Sequence, residues 1–169
     1  MNEFKINRFE VINNQTFAFF KLKINGKSYF DQFEAKLTPD EKSELRSIYA
    51  FMDKFSENLY PKTIFNSIKG KKVKKNEQRS DLYEFKSKHL RIYVVWQKPN
   101  VFIVMGGSKN TQDNDTVVLH KRLKGFPNSL DVNNPEYFEL EEEDSSEEED
   151  SSEEQEKVEN EDSEANKVE

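Results

Sequence analysis

Alternating apolar and polar residues predict β-strands in the first part of the chain. Within Phe17–Ile24 every second side chain is apolar on one face, and a period of two is that of a strand with one buried face. Two further strand-like segments cover Phe4–Ile12 and Ser28–Leu37. The dipeptide Asn25-Gly26 favours a two-residue hairpin turn, because both turn positions need a positive φ. The pattern therefore predicts an N-terminal hairpin.

Helical spacing replaces the alternation at Thr38, which can cap a helix that starts at Pro39. Glu41 lies three residues after the cap, as in a capping box. Apolar residues then recur at intervals of three and four: Leu45, Ile48, Tyr49, Met52 and Phe55. This spacing predicts one long helix that ends near residue 57 or 58, and Pro61 introduces a short second helix over residues 62–68.

The second half of the chain returns to strand-like patterns. Leu82–Lys86, Leu90–Gln97 and Val101–Met105 are predicted strands, and the last two are separated by a Lys-Pro-Asn turn. A weaker helical pattern covers Thr111–Leu123. Strands grouped in this way around helices predict an α+β fold.

The charge is divided between two parts of the chain. Residues 1–138 contain 24 basic and 16 acidic residues, whereas residues 139–169 contain 17 acidic residues and two lysines. The tail has too few apolar residues to offset the entropy lost on ordering, so we predict that residues 139–169 are disordered. The basic body predicts an anionic partner such as nucleic acid. One hypothesis is that the tail mimics that partner, and the alternative is that it only maintains solubility.

Composition excludes several classes of function. The chain has no cysteine, which rules out disulfides, thiol nucleophiles and cysteine-ligated zinc. With only two histidines, we do not expect a histidine-based metal site. No run approaches the ~20 apolar residues of a membrane span, and the first residues lack the apolar stretch of a secretory signal. We therefore expect a soluble, cytoplasmic protein without a membrane partner.

The segment Asp81–Leu123 resembles toxins of the RelE/HigB/ParE superfamily of type II toxin–antitoxin systems. Leu82–Lys86 (LYEFK) followed by Leu90–Tyr93 (LRIY) resembles a strand pair of that family. Phe102–Gln112 is similar to its last core strand and the basic loop that follows. A helix and a basic loop precede these strands in the family's order, so the resemblance extends over residues 38–124.

The resemblance implies a curved, mainly antiparallel sheet with two to three helices packed on one face. This core covers residues 38–126. The hairpin of residues 1–37 is an addition to the same domain, residues 127–138 are a linker, and the acidic tail follows. Many relatives cleave mRNA on the ribosome without metal or cofactor, and a small antitoxin protein blocks them. We therefore expect a metal-independent mRNA endonuclease with RNA, the ribosome and an antitoxin as partners, of unknown oligomeric state.

Metal-free RNA cleavage needs groups that activate the 2′-hydroxyl, stabilise the developing charge and protonate the leaving oxygen. The resemblance assigns charge stabilisation to Arg91, which matches the family's strand arginine. Lys86 or Lys88 can act as base if neighbouring cations depress its pKa, and on one strand their side chains would project to the same side. Lys109 matches the basic loop after the last strand and is expected to bind backbone phosphate.

A basic loop and two histidines complete the candidate site. The loop between Gly70 and Ser80 suits phosphate binding, although a solvated linker is the alternative. Its cationic residues are Lys71, Lys72, Lys74, Lys75 and Arg79. His89 and His120 are possible acids or bases because an unperturbed imidazole titrates near neutral pH. The alternative for each histidine is a structural role or an exposed position without a catalytic role.

The chain departs from the family pattern at two positions. Asn110 stands where many ribonuclease members carry a second arginine, and no tyrosine occurs near Thr116. The second hypothesis is therefore a non-catalytic module, a degenerate toxin that binds nucleic acid or a protein through the same basic face. A third is inhibition of DNA gyrase, as in other members of the superfamily.

Overall fold

Six strands form one mixed sheet in the computed structural model, which describes residues 1–56 and 61–139. The strands are β1 (Phe4–Arg8), β2 (Ala18–Ile24), β3 (Phe65–Ser67), β4 (Leu82–Lys86), β5 (Leu90–Gln97) and β6 (Asn100–Ser108). The order across the sheet is β1-β2-β6-β5-β4-β3, and every neighbouring pair is antiparallel except the parallel pair β2–β6. With three helices this is the predicted α+β class.

The N-terminal hairpin joins β1 to β2, with Phe4 opposite Ile24. Asn25 and Gly26 have the positive φ values that the turn prediction required, 51° and 77°. An isolated antiparallel β-bridge between Ile24 and Lys27 closes this turn. The turn therefore forms, but it does not lead into a third strand.

The predicted return strand over residues 28–37 is wrong, because Tyr29–Ala35 forms helix α1. The Ser28 hydroxyl caps this helix by accepting a hydrogen bond from the Asp31 backbone N–H at 3.2 Å. Phe30 and Phe33, three residues apart, both pack into the same core cluster. In a strand they would point to opposite faces, so the spacing of the aromatic residues favours a helix.

Helix α2 (Pro39–Lys54) confirms the predicted capping box. Thr38 accepts a hydrogen bond from the Glu41 backbone N–H, and the Glu41 carboxylate accepts one from the Thr38 N–H. The helix ends at Lys54 with Phe55 as its C-cap, so the predicted end near residue 57 or 58 is too late. The short helix predicted over residues 62–68 is wrong, because β3 occupies this segment and pairs with β4.

Helices cover both faces of the sheet, and the expectation that they pack on one face is wrong. Ile92, Val94 and Trp96 of β5 share a core cluster with α1 and α2. The alternate residues Tyr93 and Val95 pack with helix α3 (Gln112–Arg122). The physical reason is that β5 is buried on both faces over Leu90–Trp96, and a strand of this kind needs cover on both sides.

Residues 127–138, expected as a linker, pack against the sheet. Leu130 is buried in the core cluster on the α3 face. The Gln97 side chain accepts a hydrogen bond from the Leu130 backbone N–H and donates one to the Pro127 carbonyl. Phe138 forms a parallel bridge with Ile6 of β1. These residues therefore belong to the same unit as the strands, Met1–Glu139.

The described residues end where the acidic tail begins. Glu139 forms an ion pair with Lys23 at 2.6 Å and accepts a hydrogen bond from Asn7 at 3.4 Å. The hydrogen bond from Lys23 is the main reason why the pKa of Glu139 lies below its usual value. The predicted disorder and the mimicry hypothesis concern residues 139–169, all of which except Glu139 lie outside the described residues.

Candidate nucleic-acid interface

The loop that follows β3 packs against one side of helix α3. Gly70 is buried in the loop with a positive φ of 49°, and a Cβ there would lie 2.8 Å from the His120 ring and 3.2 Å from Thr116. Glycine is required because no other residue combines this backbone conformation with so close an approach. The Gln78 amide closes the loop by donating hydrogen bonds to the carbonyls of Gly70 and Val73.

Two adjoining cavities lie between this loop and α3. The larger has a volume of about 540 Å³, and the smaller has a volume of about 330 Å³. Both are lined in part by Lys72, so they adjoin at this residue. Six exposed lysines line it, and we call this surface the lysine groove: Lys69, Lys71, Lys72, Lys74, Lys121 and Lys124.

The lysine groove has few compensating anions. Glu77 lines the larger cavity, and Asp113 and the buried Glu84 line the smaller one. Exposed lysines concentrated in a concave surface attract polyanions, because low-dielectric walls focus the field. The groove is therefore the strongest candidate for an anion-binding surface in the described part of the chain.

The predicted basic loop divides into groove residues and structural residues. Lys71, Lys72 and Lys74 line the groove as expected, whereas the exposed Lys75 lines neither cavity. Arg79 also lines the larger cavity, but its guanidinium makes two hydrogen bonds to Asp81 at 3.0 Å and donates to two backbone carbonyls. Arg79 therefore fixes the loop to the segment after α3.

Sequence analysis missed half of the groove lysines. Lys69 precedes the predicted loop. Lys121 lies in the last turn of α3 and Lys124 in the turn that follows it, about fifty residues away from Lys72 along the chain. No short sequence pattern connects them to the loop, because the packing of the loop against α3 brings them together.

Arg91 is not placed to bind a phosphate. Only 7% of the residue is exposed, and Nη1 donates hydrogen bonds to the carbonyls of Ser87 and Leu90 at 2.8 and 2.9 Å. Lys86 lies opposite Arg91 in the β4–β5 pair, and strand alternation places both on the α3 face, which also carries Leu82 and Tyr93. The structure therefore places Lys86 and Arg91 next to each other, and the guanidinium of Arg91 is buried inside the protein.

Glu84 is the buried acid of this region, and sequence analysis overlooked it. It is 1% exposed, and its carboxylate accepts two hydrogen bonds from Gln112 at 2.9 Å and one from Asn66 at 3.2 Å. Burial raises its pKa, against the Asn66 hydrogen bond and the positive charges of Arg91 and Lys86. The signal was in the alternation of β4, which places Glu84 on the same face as the apolar Leu82.

The tip of the β4–β5 hairpin is held by helix α2. Glu44 accepts hydrogen bonds from the Ser87 hydroxyl and from the backbone N–H of His89 and Leu90. The His89 imidazole also contacts Glu44 at 3.1 Å. His89 therefore lies on the α2 side of the hairpin and does not line the lysine groove.

Lys88 and Lys109 lie near this hairpin tip. Lys88 is exposed in the turn between β4 and β5, so strand alternation does not determine its direction. The Lys109 backbone N–H donates a hydrogen bond to the His89 carbonyl at 2.8 Å, and its side chain is exposed. Neither lysine lines a cavity of the groove. The predicted cations are thus divided between the groove, the α3 face of the sheet and the hairpin tip.

The Glu44 contacts predict an acid-sensitive stability. Burial alone would raise the pKa of Glu44, but the hydrogen bonds from Ser87, His89 and Leu90 outweigh it and lower the pKa to about 2 from 4.5. This stabilisation is complete above pH 4.5 and is lost as the pH falls towards 2. We expect Glu44→Gln to lower the free energy of unfolding by about 1 kcal/mol at neutral pH and to weaken its acid dependence.

Urea unfolding between pH 2 and pH 7 measures this effect, with the exposed Glu10→Gln as the matched control. If Glu44→Gln and the unaltered chain showed the same acid dependence, the hydrogen bonds to Glu44 would contribute nothing to it.

Within residues 1–56 and 61–139, no group of three or more histidine and carboxylate side chains is arranged to hold a metal ion. None of the helices in the described residues has the length and apolar run that a membrane crossing requires. No family model matches the chain, and neither a curated protein nor a solved structure is significantly similar to it.

Proposed function

We propose that the chain is a nucleic-acid-binding module that holds RNA in the lysine groove. The observation that carries this proposal is the convergence of six exposed lysines, from the loop and from α3, around two adjoining cavities. Lysines that contact phosphates release counterions, and this release supplies most of the affinity of a basic surface for nucleic acid. The net charge of +8 over residues 1–138 supports the same partner.

Binding of labelled RNA at several salt concentrations tests this proposal. With five phosphates neutralised, the logarithm of the binding constant should fall linearly with the logarithm of salt concentration, with a slope of about −3.5 for a single strand. Binding that is weak at every salt concentration, or insensitive to salt, would contradict it.

A second candidate is a metal-independent endonuclease that acts with the ribosome, as in a RelE/ParE-like toxin neutralised by an antitoxin. One observation favours it: Glu84, a carboxyl with a raised pKa, lines the smaller cavity beside Lys69 and Lys71. A carboxyl with a raised pKa can take part in general acid–base catalysis, and lysines can stabilise the charge that develops on phosphate. In this proposal Glu84 takes the proton-transfer role expected for Lys86 or Lys88, and the groove lysines replace Arg91.

Cleavage of ribosome-bound mRNA in excess chelator distinguishes the two candidates. For an endonuclease we expect specific cleavage that Glu84→Gln reduces at least 100-fold, since general acid–base catalysis contributes about 10²–10⁴-fold. RNA binding by the variant should be unchanged. Expression of the chain should also arrest growth until an antitoxin is supplied. RNA that is bound but remains intact selects the non-catalytic module.

A further inference from the structure

The larger cavity of the lysine groove combines a positive rim with an apolar floor. Val73, Val117 and Leu123 line it together with four of the groove lysines. Its volume of about 540 Å³ lies within the range of small-ligand sites, about 300–1,000 Å³. Val117 is 36% exposed, one of few large apolar side chains exposed in the described residues. Phosphate contacts explain the lysines but leave the apolar floor without a partner.

An unpaired nucleobase matches both features of this cavity. Its faces are flat and apolar, and its sugar connects it to phosphates on either side. In a duplex the faces are stacked on neighbouring bases and cannot enter such a cavity, whereas single-stranded nucleic acids present them freely. One nucleic-acid strand can therefore place a base against Val117 and its neighbouring phosphates against Lys72 and Lys121.

His120 also lines the cavity. Its Nδ1 lies 2.8 Å from the Thr116 carbonyl, which only accepts hydrogen bonds, so Nδ1 carries the hydrogen. Nε2 has no hydrogen-bond partner among the described residues, but it is buried. We therefore expect the base to be held by the apolar side chains and not by this nitrogen.

We propose that the larger cavity receives one unpaired nucleobase, so that the groove binds single-stranded nucleic acid in preference to a duplex. The proposal rests on the nucleic-acid-binding function and names the form of its ligand. The base contributes through apolar contact with the floor, and the phosphates contribute through the lysines.

Three labelled probes with equal numbers of phosphates test this inference on the full chain. They are a single-stranded RNA of about ten nucleotides, the same strand with abasic sites, and a duplex closed by a linker that carries no bases. Fluorescence anisotropy at low salt should show at least about fivefold weaker binding to the abasic strand and the duplex than to the intact strand, the effect of withdrawing about 40 Å² of apolar surface from water. A DNA strand of the same sequence shows whether the 2′-hydroxyl contributes.

A neutral substitution in the cavity separates the base from the phosphates. Val117→Gln removes an apolar wall without changing the charge, and it should reduce the preference for the intact strand over the abasic strand to less than about twofold. Its salt dependence should equal that of the unaltered chain. The control Val11→Gln replaces an exposed valine that lines neither groove cavity, and it should keep the full preference.

The outcomes distinguish this inference from the function on which it rests. Equal, salt-dependent affinity for all three probes would overturn the base-binding cavity and leave the lysine groove as a phosphate-binding surface. Absence of salt-dependent binding to every probe would overturn both.

Discussion

Neutralising three lysines of the lysine groove is expected to weaken RNA binding about 100-fold at low salt. The variant is Lys72→Gln combined with Lys121→Gln and Lys124→Gln, which removes positive charge from both the loop and the end of α3. All three side chains are exposed and line the larger cavity. Each lysine that contacts a phosphate contributes about 0.7 to the salt slope for a single strand, so the slope should become shallower by about two.

The matched control removes the same charge from the helices on the other face of the sheet. Lys27→Gln, Lys36→Gln and Lys42→Gln alter exposed lysines on or beside α1 and α2. This control should lower the affinity only a few-fold through the net charge, with an unchanged salt slope. If both triple variants lost affinity equally, RNA binding would depend on net charge and would not be located in the lysine groove.

Removing the buried carboxyl of Glu84 is expected to lower the free energy of unfolding by about 3 kcal/mol at neutral pH. Glu84→Ala leaves the amides of Gln112 and Asn66 without their acceptor and removes the carboxyl that interacts with the buried Arg91. Removing one partner of a buried ion pair destabilises a protein because the other charge stays buried without an opposite charge near it. Urea unfolding of the full chain measures the loss.

Glu84→Gln separates the hydrogen bonds from the charge. Its amide oxygen still accepts a hydrogen bond, so we expect a loss of about 1 kcal/mol. Because burial raises the pKa of Glu84, the stability that it contributes is greatest at low pH and declines as the pH rises through the raised pKa. The glutamine variant should lack this decline. The exposed Glu77→Ala is the control and should leave stability unchanged. Equal stability of Glu84→Ala and the unaltered chain would show that Glu84 does not balance Arg91.

Local signals predicted the elements whose pattern is complete within a few residues. β4 and β5 have the predicted bounds, and the capping box at Thr38 starts α2 as expected. The turn at Asn25 has the required backbone conformation. In each case the deciding interaction joins residues that are close along the chain, such as a cap and the third residue of its helix.

The sequence-based predictions were wrong where two local patterns competed, or where the packing of distant segments decided the conformation or burial of a residue. In α1 a turn signal suggested a return strand, but Phe30 and Phe33 reach the same core cluster only from a helix. Arg91 was expected at a phosphate because its strand matched a family pattern. Its burial depends on β5 being covered on both faces, a property of the sheet that no short segment displays.

By itself, the sequence determined the α+β class, the positive body with its acidic tail, and the basic loop between β3 and β4. These properties depend on composition and on short periodicities. Only the tertiary structure decided which cations share a surface, because Lys72 and Lys121 are brought together by the packing of Gly70 against His120 and Thr116. It also decided that Arg91 and Glu84 are buried, since the burial of a charge depends on what distant parts of the chain place around it.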